Sequence, residues 1–194
     1  MTLTVKQKLT EATALYGRKL KNYREKCAIA EEWDKELGPI VVDEAHRVGL
    51  DLPIALALVQ IETGPFEEKN IFGGNQGHPF LNQRVSEGSM KMFRDFVDAG
   101  NSPVGVGPAQ LTDYDLIKDA EELGGAHIPR YTLRVAFREL KRLVKNYDVY
   151  RAFVYYNGEE GIEKTRDSYS WNVYMPEAIK YYGNYKNEID AIRS

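Results

Sequence analysis

The sequence predicts a mainly α fold, with a small sheet at most. Two observations lead there. Apolar residues recur at three- and four-residue spacing through most of the chain, which is the period of an amphipathic helix. Convincing strand alternation is scarce, and the Gly- and Pro-rich stretches gather into a few separating segments. At 194 residues, one domain with a short appendage is expected.

The first helical pattern runs from about Val5 to Leu37, with Leu9, Ala12, Leu15, Tyr16, Leu20 and Tyr23 on its stripe. Ala28, Ile29, Ala30, Trp33 and Leu37 continue it, and Gly38-Pro39 should stop it. Residues 1–37 therefore read as a helical arm packed on a main domain of residues 38–194. Ile40 to Val48 is a second helix, with Gly49 as its C-cap. Asp51 can cap the next helix, and Pro53 lies early in it, where a missing N–H costs little. That helix, Ile54-Ala-Leu-Ala-Leu-Val-Gln-Ile-Glu62, is apolar on almost every side, so it should be buried.

Phe66 to Arg84 is dense in Gly, Asn and Pro and reads as a long loop, of a length that is usually functional. Ser86 to Ala99 should be helical, with Met90, Phe93, Phe96 and Val97 on its apolar face. Gly100 to Pro108 is a second glycine-rich segment, where backbone can approach another group closely. Thr112 is the expected cap of a helix starting at Asp113-Tyr-Asp115. Tyr131 to Asn146 is strongly amphipathic. Val149 to Tyr156 is apolar and aromatic and breaks at Asn157-Gly158, and Trp171 to Tyr182 is a last helix interrupted or offset at Pro176.

Composition removes several classes of function. A net charge of −3 gives no electrostatic case for nucleic acid or an anionic membrane. The single Cys27 rules out an internal disulfide framework. His46, His78 and His127 are scattered, and no Cys/His cluster has metal-ligand spacing, so neither a metal nor another cofactor is expected. Asp113, Asp115 and Asp119 lack the glycine and the ligand spacing of a calcium loop. No apolar run is long enough to span a bilayer, and Met1-Thr-Leu-Thr-Val-Lys-Gln lacks the apolar core of a signal peptide. The 13 tyrosines suit either sugar-binding surfaces or helical cores.

Chemistry concentrates in four features, taken in order. Glu62 ends the apolar helix, just before Thr63-Gly64-Pro65. Asn70-Ile-Phe-Gly-Gly-Asn75 follows in the long loop. Then come Gly105-Val-Gly-Pro-Ala-Gln110-Leu111 and Tyr155-Tyr156-Asn157-Gly158. Burial disfavours the charged form of a carboxyl group, and a carboxylic acid still protonated near neutral pH is what general acid catalysis requires.

This order resembles the soluble lytic transglycosylase and goose-type lysozyme superfamily. Glu62-Thr63 resembles the family's Glu followed by a small residue. Gly107-Pro108-Ala109-Gln110-Leu111 is similar to its Gly-Leu-Met-Gln-Leu stretch, and Tyr156-Asn157-Gly158 to its Tyr-Asn-x-Gly with one residue missing. Glu44 to Pro53 has the family's lead-in rhythm. The resemblance covers about residues 38–182. The long segment between Glu62 and Gly105 looks like cell-wall lysins of phages that infect Gram-positive bacteria.

The resemblance implies a lysozyme-like fold, two lobes around a substrate cleft, and cleavage of the MurNAc-β-1,4-GlcNAc bond of peptidoglycan. It implies Glu62 as general acid, with Gln110 and Tyr156 in the cleft; Thr63, Asn75 and Asn157 join them as candidate substrate contacts. A hydrolase would need a second acid to position water, and Asp95, Asp98 or Glu87 could supply one, although the solvated face of the Ser86–Ala99 helix is the better account of them. Hydrolase and transglycosylase chemistry therefore both stay open. So does a catalytically silent wall-binding or virion module. The expected partner is the peptidoglycan glycan strand, met by a monomer at the bacterial wall. Without a signal peptide, the chain would leave the cell by another route or travel in a phage particle.

Overall fold

The structure, a computed structural model, describes residues 31–62, 87–101, 105–158, 160–165 and 168–193. These residues are mainly helical. Seven α-helices follow in order: α1 Glu31–Val48, α2 Leu52–Glu62, α3 Glu87–Asp98, α4 Tyr114–Glu122, α5 Pro129–Asn146, α6 Val149–Asn157 and α7 Met175–Arg193. A π-helical turn, Ser170–Tyr174, leads into α7. Among the described residues, β pairing is confined to one antiparallel bridge, Val106 with Leu111. Most of the N-terminal arm lies outside the described residues.

The chain divides into two compact units. One comprises the chain through Ile61 and from Phe137 onward; the other is Glu62–Ala136.

In the first unit, α1 runs unbroken through Gly38-Pro39, where the sequence predicts a stop. A proline inside a helix has no N–H to donate, which costs one backbone hydrogen bond. The stripe that follows, with Val41, Glu44 and Ala45 buried, rewards continuing the helix. The expected boundary at residues 37–38 thus falls inside a helix. α1 ends as the sequence predicts. Gly49 adopts φ +68°, the Gly49 N–H reaches the His46 carbonyl, and the Leu50 N–H reaches the Ala45 carbonyl. Only glycine takes that backbone conformation without strain. Lys141 of α5 then donates to the Val48 carbonyl at 2.7 Å, placing a cation on the negative end of α1.

In α2, every residue from Pro53 to Gln60 is buried. Burying side chains such as Ile54, Leu56, Leu58 and Val59 contributes about 1.5–3 kcal/mol each relative to exposure. Gln60 is a polar exception, and its Oε1 accepts a 2.7 Å hydrogen bond from the Tyr185 hydroxyl of α7.

α7 extends to Arg193, well past the predicted end at Tyr182. Continuing from Tyr174 of the π turn, Ala178, Tyr185 and Ile189 form its buried stripe at helical spacing. Gly183 sits inside it at a cost of about 1 kcal/mol, which the burial of Tyr185 and Ile189 offsets. Pro176 explains the π turn before it. A proline there has no N–H for the carbonyl of residue 172 and pushes that carbonyl away. The Met175 N–H reaches back five residues to Ser170 instead.

In the second unit, α3 buries Met90 and Phe93, with Phe96 and Val97 half-buried. α4 is capped by Asp113, not by the predicted Thr112. Asp113 Oδ1 accepts from the N–H groups of Asp115 and Leu116 at 2.8 and 3.2 Å. A carboxylate both accepts these bonds and places negative charge at the helix N-terminus, which a hydroxyl cannot do. Arg94 of α3 pairs with Glu121 of α4 at 3.2 Å. No described helix is long and apolar enough to cross a membrane.

Candidate active-site elements

Glu62 is the last residue of α2, half-buried, one residue beyond the half-buried Ile61 that follows the packed run Pro53–Gln60. The sequence puts it there because the apolar pattern ends with it.

The Gly105–Leu111 segment folds into a tight hairpin in the same unit. The N–H of Val106 donates to the Leu111 carbonyl at 2.9 Å, and the N–H of Leu111 returns the bond at 3.0 Å. The reversal between them is closed by Gln110. Its backbone N–H donates to the Gly107 carbonyl at 3.0 Å, and its side-chain Nε2 donates to the same oxygen at 2.8 Å. Gln110 holds φ +47°, the only described non-glycine residue at positive φ. Such outliers persist where the surroundings fix them and gather at functional sites.

The glycines make this folding-back feasible. A Cβ at Gly105 would come within 2.4 Å of Gln110 Oε1. At Gly107, with φ +72°, a Cβ would lie 2.6 Å from Oγ1 of the buried Thr132 on α5. Thr132 Oγ1 donates to the Pro129 carbonyl at 3.1 Å, so it is held in place. The hairpin is a built object seated on α5, with Gln110 half-exposed at its tip. The sequence predicts close backbone approach here, and the approach is to Gln110 and Thr132 of the chain itself.

In the other unit, Tyr156 and Asn157 end α6. Tyr156 is half-buried. Asn157 is exposed, and its Oδ1 accepts from Ser170 Oγ at 2.8 Å, linking α6 to the π turn. Gly158 allows that approach, since a Cβ there would stand 3.0 Å from Ser170 Oγ. Tyr155 packs edge-on against Tyr147, with centroids 4.9 Å apart at 85°.

The loop after Gly158 is fastened from two directions. Trp171 Nε1 donates to the Ile162 carbonyl at 3.0 Å, and Asn172 Nδ2 to the Thr165 carbonyl at 2.9 Å. Glu160 accepts from Arg142 Nη2 and from the Tyr147 hydroxyl, each at 2.6 Å. Arg142 also grips Glu139 through two hydrogen bonds of 2.8 and 2.7 Å. The Arg142 guanidinium, with help from Tyr147, holds the Glu160 carboxyl below the usual carboxylate range. In return, Glu160 pushes the Tyr147 hydroxyl up.

Asp95 and Asp98 lie exposed on α3. Thr63 and Asn75 lie outside the described residues, and so does the side chain of Glu87.

One carboxylate is absent from the sequence reading of the site. Glu44 is fully buried in α1, with Arg47 Nε 3.5 Å away. Positions 41, 44, 45 and 48 form one helical stripe, so the spacing was the available signal. Set against known proteins, the chain matches no family model, no curated protein and no solved structure.

Proposed function

We propose that the chain cleaves the MurNAc-β-1,4-GlcNAc bond of peptidoglycan, with Glu62 as general acid and then base. The observation that carries the proposal is the position of Glu62: a half-buried carboxyl group closing a helix whose residues Pro53–Gln60 are all buried. The resemblance of the Glu62, Gln110 and Tyr156 motifs supports it, as does the strained, purpose-built turn at Gln110. The proposal includes a lysozyme-like arrangement with a cleft flanked by two lobes, as that resemblance implies.

In the proposed reaction, Glu62 gives its proton to the glycosidic oxygen as the bond to the anomeric carbon breaks. Positive charge then spreads over that carbon and the ring oxygen. The Glu62 carboxylate takes the proton of the muramic acid C6 hydroxyl, and the C6 oxygen closes on the anomeric carbon. The products are a 1,6-anhydro end and a free GlcNAc hydroxyl, and Glu62 is protonated again. Asp95 and Asp98 sit on a solvated face, so the proposal runs on one carboxylate. Their Asn variants should keep wall-lytic activity within about twofold, because a group outside the reaction contributes none of the 10²–10⁴-fold effect of general acid–base catalysis.

Glu62→Gln keeps the shape and removes the proton. Clearing of a suspension of purified cell walls should fall roughly a thousandfold, within the range for general acid catalysis. Near-normal clearing by this variant would remove Glu62 from the reaction; failure of the unmodified chain to clear walls would instead favour a silent wall-binding module.

A further inference from the structure

The net charge of −3 hides a strong segregation of charge. Within α5, Arg130, Arg134, Arg138, Lys141, Arg142 and Lys145 face a single carboxylate, Glu139. Four of these cations, Arg138, Lys141, Arg142 and Lys145, line one surface groove of about 370 Å³ with Arg47 and Val48 of α1.

Part of this charge is already answered. Arg47 lies 3.5 Å from Glu44, and Arg142 is held by Glu139 and Glu160. The rest is not. Lys141 meets a helix-end carbonyl and, among the described residues, no carboxylate. Arg138 and Lys145 are exposed and make no hydrogen bond or ion pair among the described residues. Positions 138, 141 and 145 follow helical spacing, so these cations share one face of α5 over about 10 Å of helix. A solvated face ordinarily mixes signs; this one is a cationic strip beside a concave surface.

We propose that this groove binds a linear phosphodiester polymer of small polyols, with Arg138, Lys141 and Lys145 contacting successive phosphates. Phosphates match the chemistry of guanidinium and ammonium groups set in a row. The groove lining contains no aromatic ring, so bases would find no stacking platform, and this disfavours single-stranded nucleic acid. A polyol linker needs no such platform. That the polymer belongs to a bacterial wall rests on the proposed wall-cleaving activity; the phosphodiester chemistry does not.

The test titrates soluble fluorescent poly(glycerol phosphate) into the full chain at several salt concentrations. Arg138→Gln/Lys145→Gln removes two groove charges while keeping helix propensity. Lys180→Gln/Lys186→Gln removes two exposed charges from α7, outside the groove. The groove variant should bind about tenfold more weakly, with a log–log salt slope shallower by about 1.4, as expected for two lost contacts to a single-stranded polyanion. The α7 variant should bind like the parent. Equal binding by the groove variant and the parent overturns the site, as does equal weakening of both variants. Displacement of the polymer by a charge-matched single-stranded oligonucleotide at equal or lower concentration overturns the ligand class. Clearing of walls stripped of their phosphate polymer is measured alongside. If the parent fails to clear them yet binds the polymer through the groove, the wall-cleaving reading falls and the phosphodiester site stands.

Discussion

At Gly107 the backbone leaves no room for a side chain. Gly107→Ala would combine a left-handed φ with a Cβ 2.6 Å from the Oγ1 of a buried, hydrogen-bonded threonine. Each strained element of this kind costs of order 1–3 kcal/mol, so denaturant unfolding should show a loss of at least about 1 kcal/mol. Gln110 poses a different question, because it both shapes the hairpin and stands half-exposed at its tip. Gln110→Gly removes the side-chain bond to the Gly107 carbonyl but relieves the positive φ. These effects oppose each other at about 1 kcal/mol apiece, so stability should barely change. Under the proposed function, wall clearing should nevertheless drop. A glycine variant with full activity would reduce Gln110 to a turn former.

At the scale of elements, the described structure gains much of its order from contacts that join distant helices. The Tyr185 hydroxyl reaches Gln60 across 125 residues and ties α7 to the helix that ends in Glu62. Tyr185→Phe would leave the buried Gln60 oxygen without that donor, at a cost of about 1–3 kcal/mol, readable as a lower melting temperature. Burial pushes the Tyr185 hydroxyl well above its ordinary range, so it stays a donor across the physiological pH range. The loop after Gly158 behaves differently, since an ion pair holds it. The folded structure keeps the Glu160 carboxyl below its ordinary range. Its contribution is therefore complete above about pH 4.3, the ordinary value for Glu, and is lost as pH falls through the lowered value. Thermal unfolding followed between pH 6 and pH 3 should show a loss of stability that is smaller in Glu160→Gln. Identical pH profiles for the two proteins would mean that the Arg142–Glu160–Tyr147 cluster does not hold the loop.

Across the whole molecule, the helices were legible because burial stamps a period on the sequence. The apolar run before Glu62 is α2, the Met90 and Phe93 stripe is α3, and Gly49 closes α1 as its position suggested. The errors arose where a local signal lost to packing. Gly38-Pro39 did not break α1, and α7 did not end at Tyr182, because buried side chains on both helices outweigh one unfavourable backbone position. Thr112 lost the cap to a neighbouring carboxylate that does the same task better. The candidate site was legible in another way. Spacing alone could not distinguish Glu62 from a helix-end glutamate, and the order of the downstream motifs singled it out. Three things escaped the sequence reading: the burial of Glu44, the folding of Gln110 onto Gly107, and the cationic strip on α5. Each depends on which side of a helix or turn a residue faces, and net charge averages the last of them away.

The central claim is that Glu62 alone supplies and recovers the proton that breaks the glycan strand. Mass spectrometry of muropeptides released from purified peptidoglycan tests it most directly, because an anhydro end is lighter than a reducing end by one water. The account predicts 1,6-anhydromuramic ends from the unmodified chain and none from folded Glu62→Gln. Reducing ends from the unmodified chain, or anhydro ends persisting in the variant, would contradict it.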